Sequence, residues 1–205
     1  MARPHTPILS EERILAAVRV LSTDGDFTLA QLARALDVRV SSIYHHVPSK
    51  AAIVHLLRRE WITQLRAELG EITGRERLSA IVRSYADFAS SIPALVPYLV
   101  TEPLRDDELT WFYEDVAETL HSLGVATERI LPFIGTIDAA VVGAAFDLLA
   151  PPFQEGEISS EAHPYLSAAL ATLPEDFDRR VHLRSTIDDL LTGLLRGATS
   201  TESKN

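Results

Sequence analysis

The side chains best equipped for chemistry crowd into positions 39 to 50. Arg39, Ser41, Ser42, Tyr44, His45, His46 and Lys50 place a guanidinium, hydroxyls, imidazoles and an ammonium side by side. Such groups hydrogen-bond to phosphate oxygens and to base edges. His45 and His46 do not read as a metal pair, because adjacent helical residues diverge by about 100°. Glu118 and His121 form a Glu-x-x-His pair at helical spacing. Di-iron bundles need a second such pair and two more carboxylates on facing helices, and this sequence has only the one. No nucleophile elbow, phosphate loop or zinc motif appears. The reading is therefore of a non-enzyme with no catalytic residue, no metal and no cofactor.

These groups need elements to hold them. Ser10 can cap a helix whose first turn carries Glu11 and Glu12, with Ile14, Leu15, Val18 and Leu21 at helical spacing. Asp24-Gly25-Asp26 ends it. Thr28 and Gln31 form a capping box for a second helix with Leu29, Leu32, Ala33 and Leu36 on its inner face. Asp37 follows at a turn that calls for positive φ. A third helix fits from Arg39 or Val40 to Val47, with Val40, Ile43 and Val47 inward, and Pro48 stops it. Ser49 caps a fourth helix to about Leu69, with Ile53, Val54, Leu57, Trp61 and Leu65 apolar. Further helices are expected over 75–92, 94–100, 106–123, 127–150, 163–172 and 176–197, punctuated by prolines and Gly124. The longest loop is 151–162, and the tail from Ala198 is polar.

The chain has 205 residues, 46% of them hydrophobic, no cysteine and a net charge of −10. Composition excludes wholesale disorder, disulfides and thiolate metal sites. The stretch MARPHTPILS has no apolar core of a secretory signal, and the apolar run Ala139 to Phe146 is too short to span a bilayer. A cytoplasmic protein without a membrane partner is the expectation. The charge is uneven: residues 1–60 sum to +2 and residues 61–205 to −12. An acidic body can carry a mildly basic head.

Helix, short turn and short helix over 28–47 is helix-turn-helix spacing. In such a unit the second helix enters the major groove and its outer face meets DNA. Lys50 stands in the first turn of the next helix, where backbone N–H groups also favour a phosphate. Two plainer readings stand beside this one: Tyr44 as a half-buried packing residue and Lys50 as a solvated charge.

Residues 38–50, VRVSSIYHHVPSK, resemble the signature of TetR-family regulators, matching at Val38, Ser42, Ile43, Tyr44, His46, Val47, Ser49 and Lys50. The preceding FTLAQLARALDV is similar to that family's Thr-capped second helix, and the Tyr-x-His-Val form is closest to the tetracycline-repressor branch. The likeness is specific over roughly residues 10–60 and loose beyond, although STIDDLLTGLLRG resembles the last helix of that branch. Asp37 stands where the family usually has Gly, and Arg39 where it has Ser or Thr. The resemblance implies that Tyr44, His46 and Lys50 contact phosphate, with Thr28 and Ser42 as further candidates. It implies that Arg39, Val40, Ser41 and His45 face the bases.

The fold class implied is all-α: a helix-turn-helix DNA-binding domain over 1–60 and a helical ligand-binding and dimerisation domain over 61–205. Residues 127–150 and 176–197 are the candidate homodimer helices. Thr127 would cap the first, Gly135, Ala139, Ala140, Gly143 and Ala144 would allow close approach, and Val181, Ile187, Leu190, Leu191, Leu194 and Leu195 would form the second stripe. The alternative is that both belong only to the subunit core. A small-molecule effector would bind among Tyr85, Phe88, Trp111, Phe112, Phe133, Asp138, Phe146 and Asp147, though each aromatic also reads as plain core. Asp138 and Asp147 lie nine positions apart and point to opposite sides of their helix. The stretch PYLVTEP, aligned with the histidine-bearing segment of the tetracycline repressor, has no histidine, which argues against tetracycline. The function implied is a ligand-responsive repressor that binds a palindromic operator as a homodimer and is released by its effector. A ligand-independent DNA-binding architectural or adaptor protein of the same fold is the other reading. A purely protein-binding helical module is the third.

Overall fold

A computed structural model describes residues 9–23, 25–101, 107–150, 158–174 and 176–199. Several sequence expectations lie outside them: the leading stretch to Ile8, Asp24, Glu102, Pro103, most of the 151–162 loop and the end of the tail. The described residues form ten α-helices, one 3₁₀ turn and no strand.

The head is α1 (Glu11–Thr23), α2 (Leu29–Ala35) and α3 (Val40–His46). Ser10 Oγ accepts the Arg13 N–H at 3.3 Å. Thr28 Oγ1 accepts the Gln31 N–H at 3.2 Å while Gln31 Oε1 accepts the Thr28 N–H at 2.7 Å, so the capping box forms in both directions. Asp37 adopts φ 53° and turns the chain into α3. An aspartate tolerates this left-handed geometry better than most side chains. Ile43 and Val47 are fully buried in one core with Ile14, Val18 and Leu32. Val40 departs from the expected inward face. It is 40% exposed, because it opens α3 between the exposed Arg39 and Ser41, away from the packed turn around Ile43.

α4 (Lys50–Leu69) starts at the head and runs unbroken past position 60 into the body. Its buried stripe, from Ile53 through Leu57, Trp61 and Leu65 to Leu69, joins both halves in one hydrophobic cluster. The body comprises α5 (Gly74–Ser91), the 3₁₀ turn Pro93–Leu95, α6 (Val96–Thr101), α7 (Asp107–Ser122), α8 (Thr127–Asp147), α9 (Pro164–Ala171) and α10 (Arg179–Thr199). α5 is central and packs against α4, α7, α8 and α10. α1 rests on α5 and on the 3₁₀ turn, while α6 packs on α4 and α8.

Boundaries differ from expectation where local chemistry decides. Ala126, not Thr127, is the cap residue of α8, and it offers no side-chain bond. α8 ends at Asp147 because the next residues turn, with Leu149 and Ala150 N–H groups returning to Phe146 and Asp147 carbonyls. α10 starts at Arg179, after Asp178 has accepted the Arg180 N–H at 2.7 Å. α8 is long and apolar enough to cross a membrane by length and composition. One side of it packs on α5, α7 and α10.

Candidate nucleic-acid interface and effector cavity

The short α3 presents its polar side chains outward. Arg39, Ser41, Tyr44, His45 and His46 are exposed, and Ser42 is half-buried. Tyr44 is 54% exposed. Thr28 stands exposed at the start of α2 with its hydroxyl spent on the capping box. Packing dictates this split: Ile43 and Val47 anchor one side of a seven-residue helix, and the remaining positions are forced out.

Lys50 is not a solvated charge. Its ammonium is ion-paired with Asp26, and its side chain is only 16% exposed. The ammonium also lies 5.2 Å from the ring centre of Phe27 and 5.9 Å from that of Tyr98, within cation–π reach. Asp26 is 76% exposed, and the hydrogen bond from Lys50 holds its carboxyl below the usual value. The pairing is non-local, with Asp26 24 positions before Lys50.

In the body, Tyr85, Phe88, Phe112, Phe133 and Asp138 do converge. Asp138 borders a cavity of about 20 Å³ together with Tyr85, Phe112, Tyr113 and Phe133. A second cavity of about 20 Å³ shares Tyr85, Phe112 and Tyr113 and reaches Arg58, Trp61, Phe88 and Leu99. Each is large enough for one water. Trp61 and Phe88 stack with centroids 4.6 Å apart and planes 3° from parallel. Tyr113 and Trp61, not singled out as effector contacts by sequence reasoning, belong to this group. Tyr113 donates to Asp138 Oδ2 at 3.1 Å. Burial pushes the Asp138 carboxyl above its usual range, and the Tyr113 hydrogen bond opposes that rise.

Three expected residues lie elsewhere. Trp111 is on the outer side of α7 beneath the Arg66 guanidinium, 4.4 Å from its ring centre. Phe146 is 54% exposed. Asp147 is ion-paired with Arg179 and borders an open cleft of about 790 Å³ between the end of α8, α9 and α10. The half-turn between Asp138 and Asp147 thus sends one acid inward and the other out.

No protein-family model and no curated protein matches the chain. Solved structures do. A possible TetR family transcriptional regulator from Streptomyces coelicolor A3(2) superposes with a TM-score of 0.68 at 16% identity, covering 90% of this chain and 98% of that one. TetR from Acinetobacter baumannii AYE gives 0.65 at 18% identity, covering 93% and 99%. The chain has the TetR-family fold. The Streptomyces coelicolor TetR family protein ActR, in complex with actinorhodin, gives 0.62 at 18% identity, covering 95% and 99%. The TetR fold here includes both head and body, since each match spans nearly the whole chain.

Glu118 and His121 are exposed on α7. Among the described residues no three His, Asp or Glu side chains gather as metal ligands.

Proposed function

We propose that this protein is a ligand-responsive DNA-binding transcriptional regulator, a repressor that binds a palindromic operator as a homodimer and leaves it when an effector binds. The observation that carries this reading is the outward face of α3, where Arg39, Ser41, Tyr44, His45 and His46 are exposed over a buried Ile43 in a TetR fold. Residues 1–60 act as the DNA-binding unit and residues 61–205 as the effector and dimer unit, in a cytoplasmic protein. The dimer face is the outer side of α8, where Leu131 is 78% exposed and Gly135, Ala139 and Gly143 are exposed, joined by the half-buried Leu190 and Leu194 of α10. Ile187, Leu191 and Leu195 serve the subunit core instead.

The effector site is the aromatic region around Asp138. An acid among apolar rings favours a cationic or hydroxyl-rich ligand, because either satisfies the carboxyl. Tyr85, Phe112 and Tyr113 wall off the two small cavities, so an effector enters by displacing those rings. A coupling of about 1–3 kcal/mol between effector and DNA suffices for release. Selection of bound sequences from a randomised duplex pool, at two salt concentrations, tests the reading. A recovered palindrome with steep salt dependence supports it. No enrichment by a folded dimer overturns it. The ligand-independent architectural reading predicts a duplex affinity that no small cation or polyol alters.

A further inference from the structure

Lys50 is the residue that a DNA phosphate should meet at the start of α4, yet its ammonium is already taken. Asp26 holds it from the loop before α2, and Phe27 and Tyr98 cover it. The pair is lopsided: the lysine side chain is 16% exposed and the aspartate 76%. Asp26 therefore neutralises an ammonium that water reaches poorly. It also places a negative charge at the rim of the reading surface, two residues from Thr28. An approaching phosphate and the Asp26 carboxylate are both anions seeking the same ammonium.

We infer that Asp26 is a built-in competitor for DNA, which sets operator affinity by occupying Lys50 until a phosphate displaces it. The inference rests on the DNA-binding reading above. In the unbound protein Lys50 is neutralised by Asp26. On binding, Lys50 turns from Asp26 to the phosphate, so the contact is weakened by the cost of breaking the Asp26 pair. Tyr98 places α6 at the same ammonium, so the body touches the latch directly.

The experiment measures fluorescence-anisotropy binding to a labelled duplex enriched from a randomised pool by the parent protein. Parent, Asp26→Asn and Asp26→Glu are compared, with Glu114→Gln on the exposed face of α7 as an equal charge change far from the head. Removing the competitor tightens binding about fivefold at about 50 mM salt. The slope of log affinity against log salt stays close to the parent's, because Lys50 neutralises the same phosphate in both proteins. Asp26→Glu and Glu114→Gln stay within about twofold of the parent. Equal or weaker binding by Asp26→Asn, with an unchanged melting transition, overturns the inference; so does tighter binding by Asp26→Glu. Asp26→Ser repeats the charge removal if the Asn variant fails to fold. A parent that enriches no duplex removes the DNA-binding reading and this inference with it. A parent that binds but does not tighten on loss of Asp26 removes the inference alone.

Discussion

Tyr113 on α7 donates its hydroxyl to Asp138 on α8 at 3.1 Å, so a phenol and a carboxyl tie two helices together inside an aromatic wall. Burial first, and the neighbouring Asp138 charge second, push the Tyr85 and Tyr113 hydroxyls well above the usual phenol range. Both remain hydrogen-bond donors throughout the physiological range. The carboxyl is the group whose state can change.

Asp138 makes stability pH-dependent in a direction opposite to most paired acids. Burial raises its folded-state pKa above the ordinary 3.8. Below that ordinary value both folded and unfolded chains are protonated there, and no penalty exists. As pH rises through the raised value, the folded chain must ionise a poorly solvated group and loses stability. Asp138→Asn keeps an acceptor for Tyr113 and removes the charge. It should melt above the parent at pH 7, with the gap closing as pH falls toward about 4. Thermal melts across that range check this, and a gap that ignores pH would refute it.

Arg77 on α5 and Asp115 on α7 form a largely covered ion pair. The guanidinium meets the carboxylate through Nε at 3.1 Å and Nη2 at 2.8 Å, and it also reaches the Ile72 carbonyl at 3.0 Å. The two side chains are 18% and 12% exposed. Removing one partner strands a largely covered charge. Asp115→Ala should destabilise by about 2–3 kcal/mol, below the fully buried range because some water remains. Urea titration reads the loss. Arg83→Ala, whose exposed pair with Asp188 is screened, should change stability by under about 1 kcal/mol.

How much of this was legible in the sequence differs by region. The head was readable because its signals are local: a capping box from Thr28 to Gln31, a proline stop, and an aspartate at φ 53° where a turn was required. The fold class followed from helical periodicity in the same way. The body site was half readable. Asp138 and Phe133 share a helix, but Tyr113 reaches Asp138 from 25 positions away. Trp111 and Phe112 are adjacent, so one faces in and the other out, and periodicity alone did not say which. The Asp26 partner of Lys50 was not readable, because it lies 24 positions upstream in a loop. Residues pair by tertiary approach there, which no spacing rule encodes.

The outward face of α3 gives a prediction that separates DNA contact from folding. Arg39 is the exposed N-cap residue of α3 and makes no side-chain capping bond. Arg39→Ala should therefore leave the melting temperature unchanged and weaken operator binding by about 1–3 kcal/mol if it reads a base, relaxing specificity at one position. Tyr44→Ala should weaken all duplexes alike. Affinity measured on the selected duplex and on single-position variants distinguishes the two. Equal affinity for both variants and the parent would remove α3 from the reading surface.

The proposed dimer uses a face of α8 that the subunit leaves open. Leu131, Gly135, Ala139, Gly143 and Phe146 recur at helical spacing and are all exposed, and a Cβ built on Gly135 or Gly143 would meet nothing within 4 Å in the subunit. A side chain added there is thus harmless to the monomer fold. In a dimer the same side chain would stand between two helices packed through small residues, whose axes approach to about 8–10 Å. Gly143→Glu adds bulk and a charge with no partner. It should keep the helical signal, shift the mass in light scattering from two subunits to one, and abolish tight binding to a palindrome, because half-sites are read by paired heads. Leu195→Glu should instead unfold the subunit, since that residue is 7% exposed within the core. A Gly143→Glu protein that stays dimeric would move the interface off α8.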